Sequence, residues 1–163
     1  MKKNEEKTNV IRILEQNKIN FKVYNYTDST AISGIEVADS LNEDYKVVFK
    51  TLVTIGKSGN HYVFLVPVDK ELDLKKVASV VGEKSIEMIR SKELLPLTGY
   101  IHGGCSPVGM KKYFTTVIDK SANNQNKIIF SGGKIGYQID TTLEELAKVI
   151  NYTLEDITKD KNC

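Results

Sequence analysis

Tryptophan is absent from this 163-residue chain, and histidine, cysteine and proline number only two, two and three. Cys105 and Cys163 are too few for a disulfide framework and lack zinc-site spacing, so a reducing, cytoplasmic location is expected. His61 and His102 have no paired acidic residues at ligand spacing, and neither a metal nor another cofactor is expected. No apolar run approaches bilayer length, and Met1 to Lys7 is charged without an apolar core, so neither a membrane span nor a signal peptide is expected. An excess of one charge is also missing: 23 Lys and Arg stand against 21 Asp and Glu, a formal net charge of +2. Any nucleic-acid partner must therefore be met by a local basic patch.

What is present is an ordinary globular composition, 40% hydrophobic and 27% charged, at a length that suits one domain over residues 1–163. Val10, Ile13 and Leu14 predict an amphipathic helix near residues 5–17, and Phe21 to Tyr26 predicts a strand broken at Thr27-Asp28-Ser29. Ser33 with Glu36 forms a capping box for a short helix. Val47 to Ile55 and His61 to Val68, joined by Lys57-Ser58-Gly59-Asn60, predict a hairpin. Leu72 to Val81 predicts a helix stopped by Gly82, followed by a strand at Ser85 to Ile89 and a short helix at Ser91 to Leu95. Strands are expected at Thr115 to Asp119, Lys127 to Phe130 and Tyr137 to Asp140. A final helix, opened by a Thr142/Glu145 capping box, carries Leu143, Leu146, Ala147 and Ile150. Hairpins interrupted by helices, without regular alternation, predict a mixed α/β fold with helices outside the sheet rather than a doubly wound one.

Two places carry unusual chemistry. Lys50 stands in line between Val48 and Leu52 in a strand whose two faces both read as buried. It either snorkels to water from a strand end or projects into a pocket to meet a phosphate, a ribose or a carbonyl. The second place is Gly99 to Lys112, with four glycines, a proline, a thiol, a hydroxyl and two lysines between apolar segments. Gly104 and Gly109 have phosphate-loop spacing, but Met110 replaces the required lysine. Read as a nucleophile elbow around Ser106, the run fails because Val108 stands where glycine is needed. Cys105 has only His102 as a local base and is more readily a packing residue. Ser131-Gly132-Gly133-Lys134 is a hairpin turn that gains interest if the fold sets it beside the first glycine run.

Phe49-Lys50-Thr51-Leu52, Val66-Pro67-Val68-Asp69 with Glu71-Leu72-Asp73-Leu74, Thr98-Gly99-Tyr100 with Gly103 to Gly109, Thr116-Val117-Ile118-Asp119 and Ser131 to Lys134 together resemble the YbaK/EbsC family, nearly end to end. That family is similar to the editing domain inserted in bacterial prolyl-tRNA synthetase. The resemblance implies a central mixed, largely antiparallel, barrel-like sheet surrounded by helices, and a cofactor-free deacylase of Cys-tRNA(Pro). It implies tRNA(Pro) charged with cysteine as partner, prolyl-tRNA synthetase as a second one, and no DNA. Lys50 matches the family's functional lysine, and Gly103, Gly104 and Pro107 belong to its Gly-x-x-x-Pro loop, with Cys105 and Ser106 as wall positions. Tyr26, Ser131, Gly132 and Asp140 match pocket positions. Thr51 follows the lysine where alanine-clearing editors have asparagine, which favours the cysteine-clearing branch. Lys111, Lys112 and Lys134 are implied as phosphate contacts, and Tyr26 or Tyr100 as stacking platforms. The chemistry implied is substrate-assisted, the cysteinyl ester's own thiol reacting while the protein positions it. An editor of Ala- or Ser-tRNA and a non-catalytic binder of tRNA 3′ ends are the alternatives.

Overall fold

Thr8 accepts the Ile11 N–H on its hydroxyl and so opens α1 (Asn9–Gln16), which turns Val10, Ile11 and Leu14 inward. The computed structural model describes residues 7–26, 31 and 33–161. The start of the expected first helix, the Thr27-Asp28-Ser29 break and Cys163 lie outside them. Strand β1 (Lys22–Asn25) follows, then α2 (Gly34–Leu41), where the expected capping box is formed: Ser33 Oγ accepts the Glu36 N–H and Glu36 accepts the Ser33 N–H.

The hairpin expected next is β2 (Phe49–Gly56) and β3 (His61–Pro67), in a register that sets Lys50 opposite Val66. Strand β4 (Lys70–Leu72) claims Leu72, and Asp73, whose carboxylate accepts the Lys75 and Lys76 N–H groups, starts α3 (Leu74–Val81) two residues later than periodicity suggested. Gly82, at φ 76°, ends that helix as expected. Then come β5 (Ile86–Met88), α4 (Ser91–Thr98), β6 (Thr115–Asp119), β7 (Ile128–Ser131) and β8 (Tyr137–Thr141). The final helix is shorter than its pattern: α5 spans Leu143–Leu146 and caps at Ala147. Only half of its capping box forms, because the Glu145 carboxylate accepts from the Asn20 N–H and Lys148 instead of the Thr142 backbone. Two short polar strands, β9 (Thr153–Glu155) and β10 (Thr158–Asp160), close the chain.

Strand order in the larger sheet is β5-β2-β3-β6-β9, antiparallel through β3 and parallel beyond it. A second sheet, β1-β8-β7, and the β4–β10 pair are antiparallel. The two main sheets join where Val48 bridges Ile129, with the Ile129 N–H donating to Val47 C=O at 2.8 Å. Curled together, they enclose one core of Phe49, Val53, Val63, Leu65, Ile118, Phe130 and Ile139, closed by side chains of α1, α4 and α5. Alternation sends Tyr62, Phe64 and Val66 the other way, onto Val77 and Ala78 of α3, so β3 is buried on both faces. Ala38 of α2 covers the joint between the sheets. The architecture is thus mixed α/β, largely antiparallel and barrel-like, with helices outside. Among the described residues no helix is long and apolar enough to cross a membrane.

Candidate functional site

One edge of β2 is shared by two neighbours that do not meet. β5 pairs with Thr54 to Gly56, β7 bridges at Val48, and on this edge no strand among the described residues pairs with the residues between them. Hydrogen bonds fix the parity: Val48 and Gly56 bond towards β3, whereas Val47 and Val53 accept from Ile129 and Ile89 on the other side. The backbone of Thr51 therefore faces the gap. A cavity of about 310 Å³ fills it, lined by Phe49 to Val53 of β2, by Met88, Ile89, Arg90, Ser91 and Leu94, by Gly103 and Cys105, and by Tyr26, Ser131 and Gln138.

Lys50 lines this cavity, half-buried, and no carboxylate pairs with it among the described residues. Burial pushes its ammonium pKa down, as does the Lys161 charge, while Glu71 and Asp69 pull it up more weakly. Lys50 thus stands at the cavity wall while keeping contact with solvent.

The glycine-rich run enters from α4. Gly99 ends the helix at φ 87°, and Tyr100 then points inward and donates its hydroxyl hydrogen to Val108 C=O. Tyr100 thus braces the loop from within and presents no face on which RNA could stack. Gly103, at φ 88°, turns the chain, and the Gly104 N–H donates to Ile101 C=O at 2.9 Å. That bond spends one of the N–H groups expected to face an ester; His102, Gly103 and Cys105 are the loop's cavity-lining members. Gly104 is behind them, where an added Cβ would stand 3.2 Å from the Lys134 Cα and Ile135 N. The two glycine runs therefore touch, backbone against backbone.

The remaining candidate residues divide. Ser106 is fully buried and accepts the Val108 N–H on its hydroxyl, while Pro107 lines a different cavity of about 360 Å³ behind the loop, with Lys112, Tyr113 and Lys148. Burial pushes the Cys105 thiol up to about 12, only partly offset by its bond with Thr98, so it is protonated at neutral pH. Ser131 lines the site, and Gly132 packs behind it against Tyr137. Asp140 is not at the cavity: it pairs with Lys127 at 3.5 Å and accepts from the Tyr24 hydroxyl at 3.4 Å. Lys127 and Tyr24 are also bonded to Glu43, which completes the cluster. The side chain that β8 gives to the cavity is Gln138, which sequence reasoning missed. Its signal was faint, a polar residue in an alternating strand. Gln138 is 6% exposed and donates from Nε2 to Tyr26 Oη at 3.3 Å.

Residues 30–149 match the aminoacyl-tRNA editing domain family over most of the chain. The chain belongs to this family. It is 42% identical over 158 residues, 96% of each chain, to EbsC of Enterococcus faecalis, named as a proposed Cys-tRNA(Pro)/Cys-tRNA(Cys) deacylase. It is 29% identical to a stretch of the proline–tRNA ligase of Thermosipho africanus that covers 72% of this chain and 21% of the ligase. A crystal structure of a proposed trans-editing enzyme for prolyl tRNA synthetase superposes with a TM-score of 0.80 at 24% identity, over 93% of this chain and 98% of the other. That likeness bears out the fold. As an editing domain, the protein acts on mischarged tRNA.

Proposed function

We propose that the protein deacylates Cys-tRNA(Pro), cutting the ester between cysteine and the terminal adenosine. The observation that carries this reading is Lys50, a half-buried cation with no carboxylate paired to it among the described residues, in a cavity shared with the glycine loop. Lys50 suits a phosphate or ribose oxygen of the terminal nucleotide. Backbone N–H groups of Gly103 and Cys105 suit the ester carbonyl oxygen, where negative charge develops.

Neither local nucleophile is in a state to attack: the Cys105 thiol is protonated and the Ser106 hydroxyl is buried and engaged. A cysteinyl ester brings its own thiol. Its sulfur bonds to the ester carbon as the carbon–oxygen bond to ribose breaks, the departing oxygen takes the proton, and water then opens the strained thiolactone to free cysteine. Tethering supplies the effective concentration, and the protein supplies orientation and charge stabilisation. A small cavity separates alanine from cysteine by only about 1–3 kcal/mol, so the thiol does the rest of the selecting. EbsC of E. faecalis, which bears a deacylase name for Cys-tRNA(Pro), is in keeping with this reading.

The test is a deacylation panel of Cys-, Ala-, Ser- and Pro-tRNA(Pro). Cysteine should be released preferentially, and Lys50→Met should lower kcat/KM about 10- to 100-fold, the worth of a charged hydrogen bond. Release of alanine or serine instead reassigns the substrate. Salt-sensitive binding without turnover makes the protein a binder of tRNA ends.

A further inference from the structure

We infer that Tyr113 and Lys112, at the rim of the second cavity, form a subsite for an unpaired nucleotide of the tRNA 3′ strand, upstream of the esterified adenosine. The inference rests on the deacylase reading for the place of the ester in the Lys50 cavity, and adds a second part of the substrate that the protein holds.

Phe114 packs onto the core with its ring edge-on to His61 at 5.9 Å, while the residue before it faces out. Tyr113 is 72% exposed, more than any other large hydrophobic side chain among the described residues. The cavity of about 360 Å³ that it borders is walled by Pro107 and Met110 of the loop and by Lys112, Lys148 and Asn151. Lys148 is committed to Glu145 at 2.8 Å, and Lys112 has no carboxylate partner among the described residues. Neither this cavity nor the Lys50 cavity is lined by an aspartate or glutamate, in a chain that has 21 of them, so both suit an anionic ligand.

A lone exposed tyrosine is ordinary surface; its position relative to the Lys50 cavity is what gives this one a use. Gly104 to Val108 are buried, so the loop meets solvent through its two ends, Ile101 and His102 on one side and Lys111 to Tyr113 on the other. Those ends are held together: the Lys111 N–H donates to Thr98 C=O at 3.1 Å, and the Lys111 stem runs over Gly99, 3.4 Å from where a Cβ would stand. The result is an exposed ribbon from His102, which lines the Lys50 cavity, past Gly99 and Lys111 to Lys112 and Tyr113 at the second cavity. His102 is three residues from Gly99 and Tyr113 two from Lys111, so the ribbon is at most about 25 Å long. A few nucleotides of unpaired strand cover that distance. With the terminal adenosine at Lys50, an upstream base stacks on the Tyr113 ring and a phosphate meets Lys112. Neither contact reads a base sequence, which suits the 3′ end that tRNAs share.

The test compares Cys-tRNA(Pro) with 3′-O-cysteinyladenosine, which lacks every upstream nucleotide. Tyr113→Ala should raise KM for Cys-tRNA(Pro) about 10-fold at constant kcat, and so lower the ratio of kcat/KM between the two substrates by the same factor, whereas Tyr113→Phe, which keeps the ring, should hold that ratio within about 2-fold. Lys112→Met should make the salt slope of tRNA binding shallower by about 0.7. A readout free of chemistry accompanies these, the fluorescence anisotropy of 5′-labelled CCA trinucleotide, whose affinity should fall about 10-fold in Tyr113→Ala. Thermal melts establish that each variant is folded. A ratio unmoved by Tyr113→Ala, an equal loss on cysteinyladenosine, or a ratio that Tyr113→Phe fails to hold overturns the inference. If neither substrate is cleaved, the deacylase reading falls, and the trinucleotide decides the subsite by itself: weaker binding by Tyr113→Ala sustains it and unchanged binding overturns it.

Discussion

Cys105 and Lys50 both line one cavity, and burial works on them in opposite senses. It keeps the thiol protonated, with its pKa pushed up to about 12, and it weakens the lysine's hold on its proton. If the reacting sulfur belongs to the substrate, Cys105→Ala should retain kcat/KM within about 3-fold while costing about 1–2 kcal/mol of stability for the lost packing. Alkylation by iodoacetamide at pH 7.5 should be correspondingly slow in the wild type. Loss of turnover in a folded Cys105→Ala protein would assign the chemistry to this thiol instead. Lys50 was legible in the sequence because a cation between Val48 and Leu52 breaks a buried alternation. Gln138 was not, since in Tyr137 to Asp140 a polar residue at every second position reads as a solvent face, and only the folded chain shows that face to be covered.

At the scale of elements, the cluster of Tyr24, Glu43, Lys127 and Asp140 ties β1, β7 and β8 to the turn after α2. Burial alone would raise the Glu43 pKa, but the Tyr24 hydroxyl and the Lys127 ammonium outweigh it, so the folded value is below the unfolded one. Glu43 therefore stabilises the fold above the ordinary glutamate value of about 4.3, and that contribution is lost as pH falls through its lower folded value. Lys127→Met should lower the unfolding free energy by about 1 kcal/mol at pH 7, with the difference from wild type closing as pH falls below the ordinary glutamate range in parallel denaturant titrations. A gap independent of pH would mean that Lys127 acts through its packing. Elements with strong periodicity or caps, such as α2, α3 and the β2–β3 hairpin, were readable in advance. β4, β9 and β10 are three-residue polar strands that exist because a partner is nearby, and nothing local announces them. The apolar pattern after Thr142 overstated α5 because the backbone past Ala147 tightens into turns, the Lys148 and Val149 N–H groups donating to Glu145 and Leu146 C=O.

For the molecule as a whole, near-neutral charge sets how tRNA is held. Lys50 and Arg90 at the cavity, the exposed Lys111 and Lys112 beside the loop, Lys134 against Gly104 and Lys161, whose charge reaches Lys50, are cations near the site. With about four to six phosphate contacts, the logarithm of the tRNA binding constant should fall against the logarithm of KCl concentration with a slope of about −3 to −5, at about 0.7–0.9 per phosphate. Filter binding between 50 and 300 mM KCl measures it, and a slope steeper than about −6 would require a larger basic surface than these residues provide.

The unpaired stretch of β2 has a consequence for how the protein keeps to itself in a crowded cell. An exposed strand margin is ordinarily an invitation to other chains, which add to it and propagate aggregates. Here β5 and β7 occupy the two ends of that margin, leaving a notch about four residues long, roughly 13 Å at strand rise. A foreign strand is too long to lie there without colliding at both ends. The same closure that would admit one amino acid on the tip of a tRNA is what makes the notch safe to leave open.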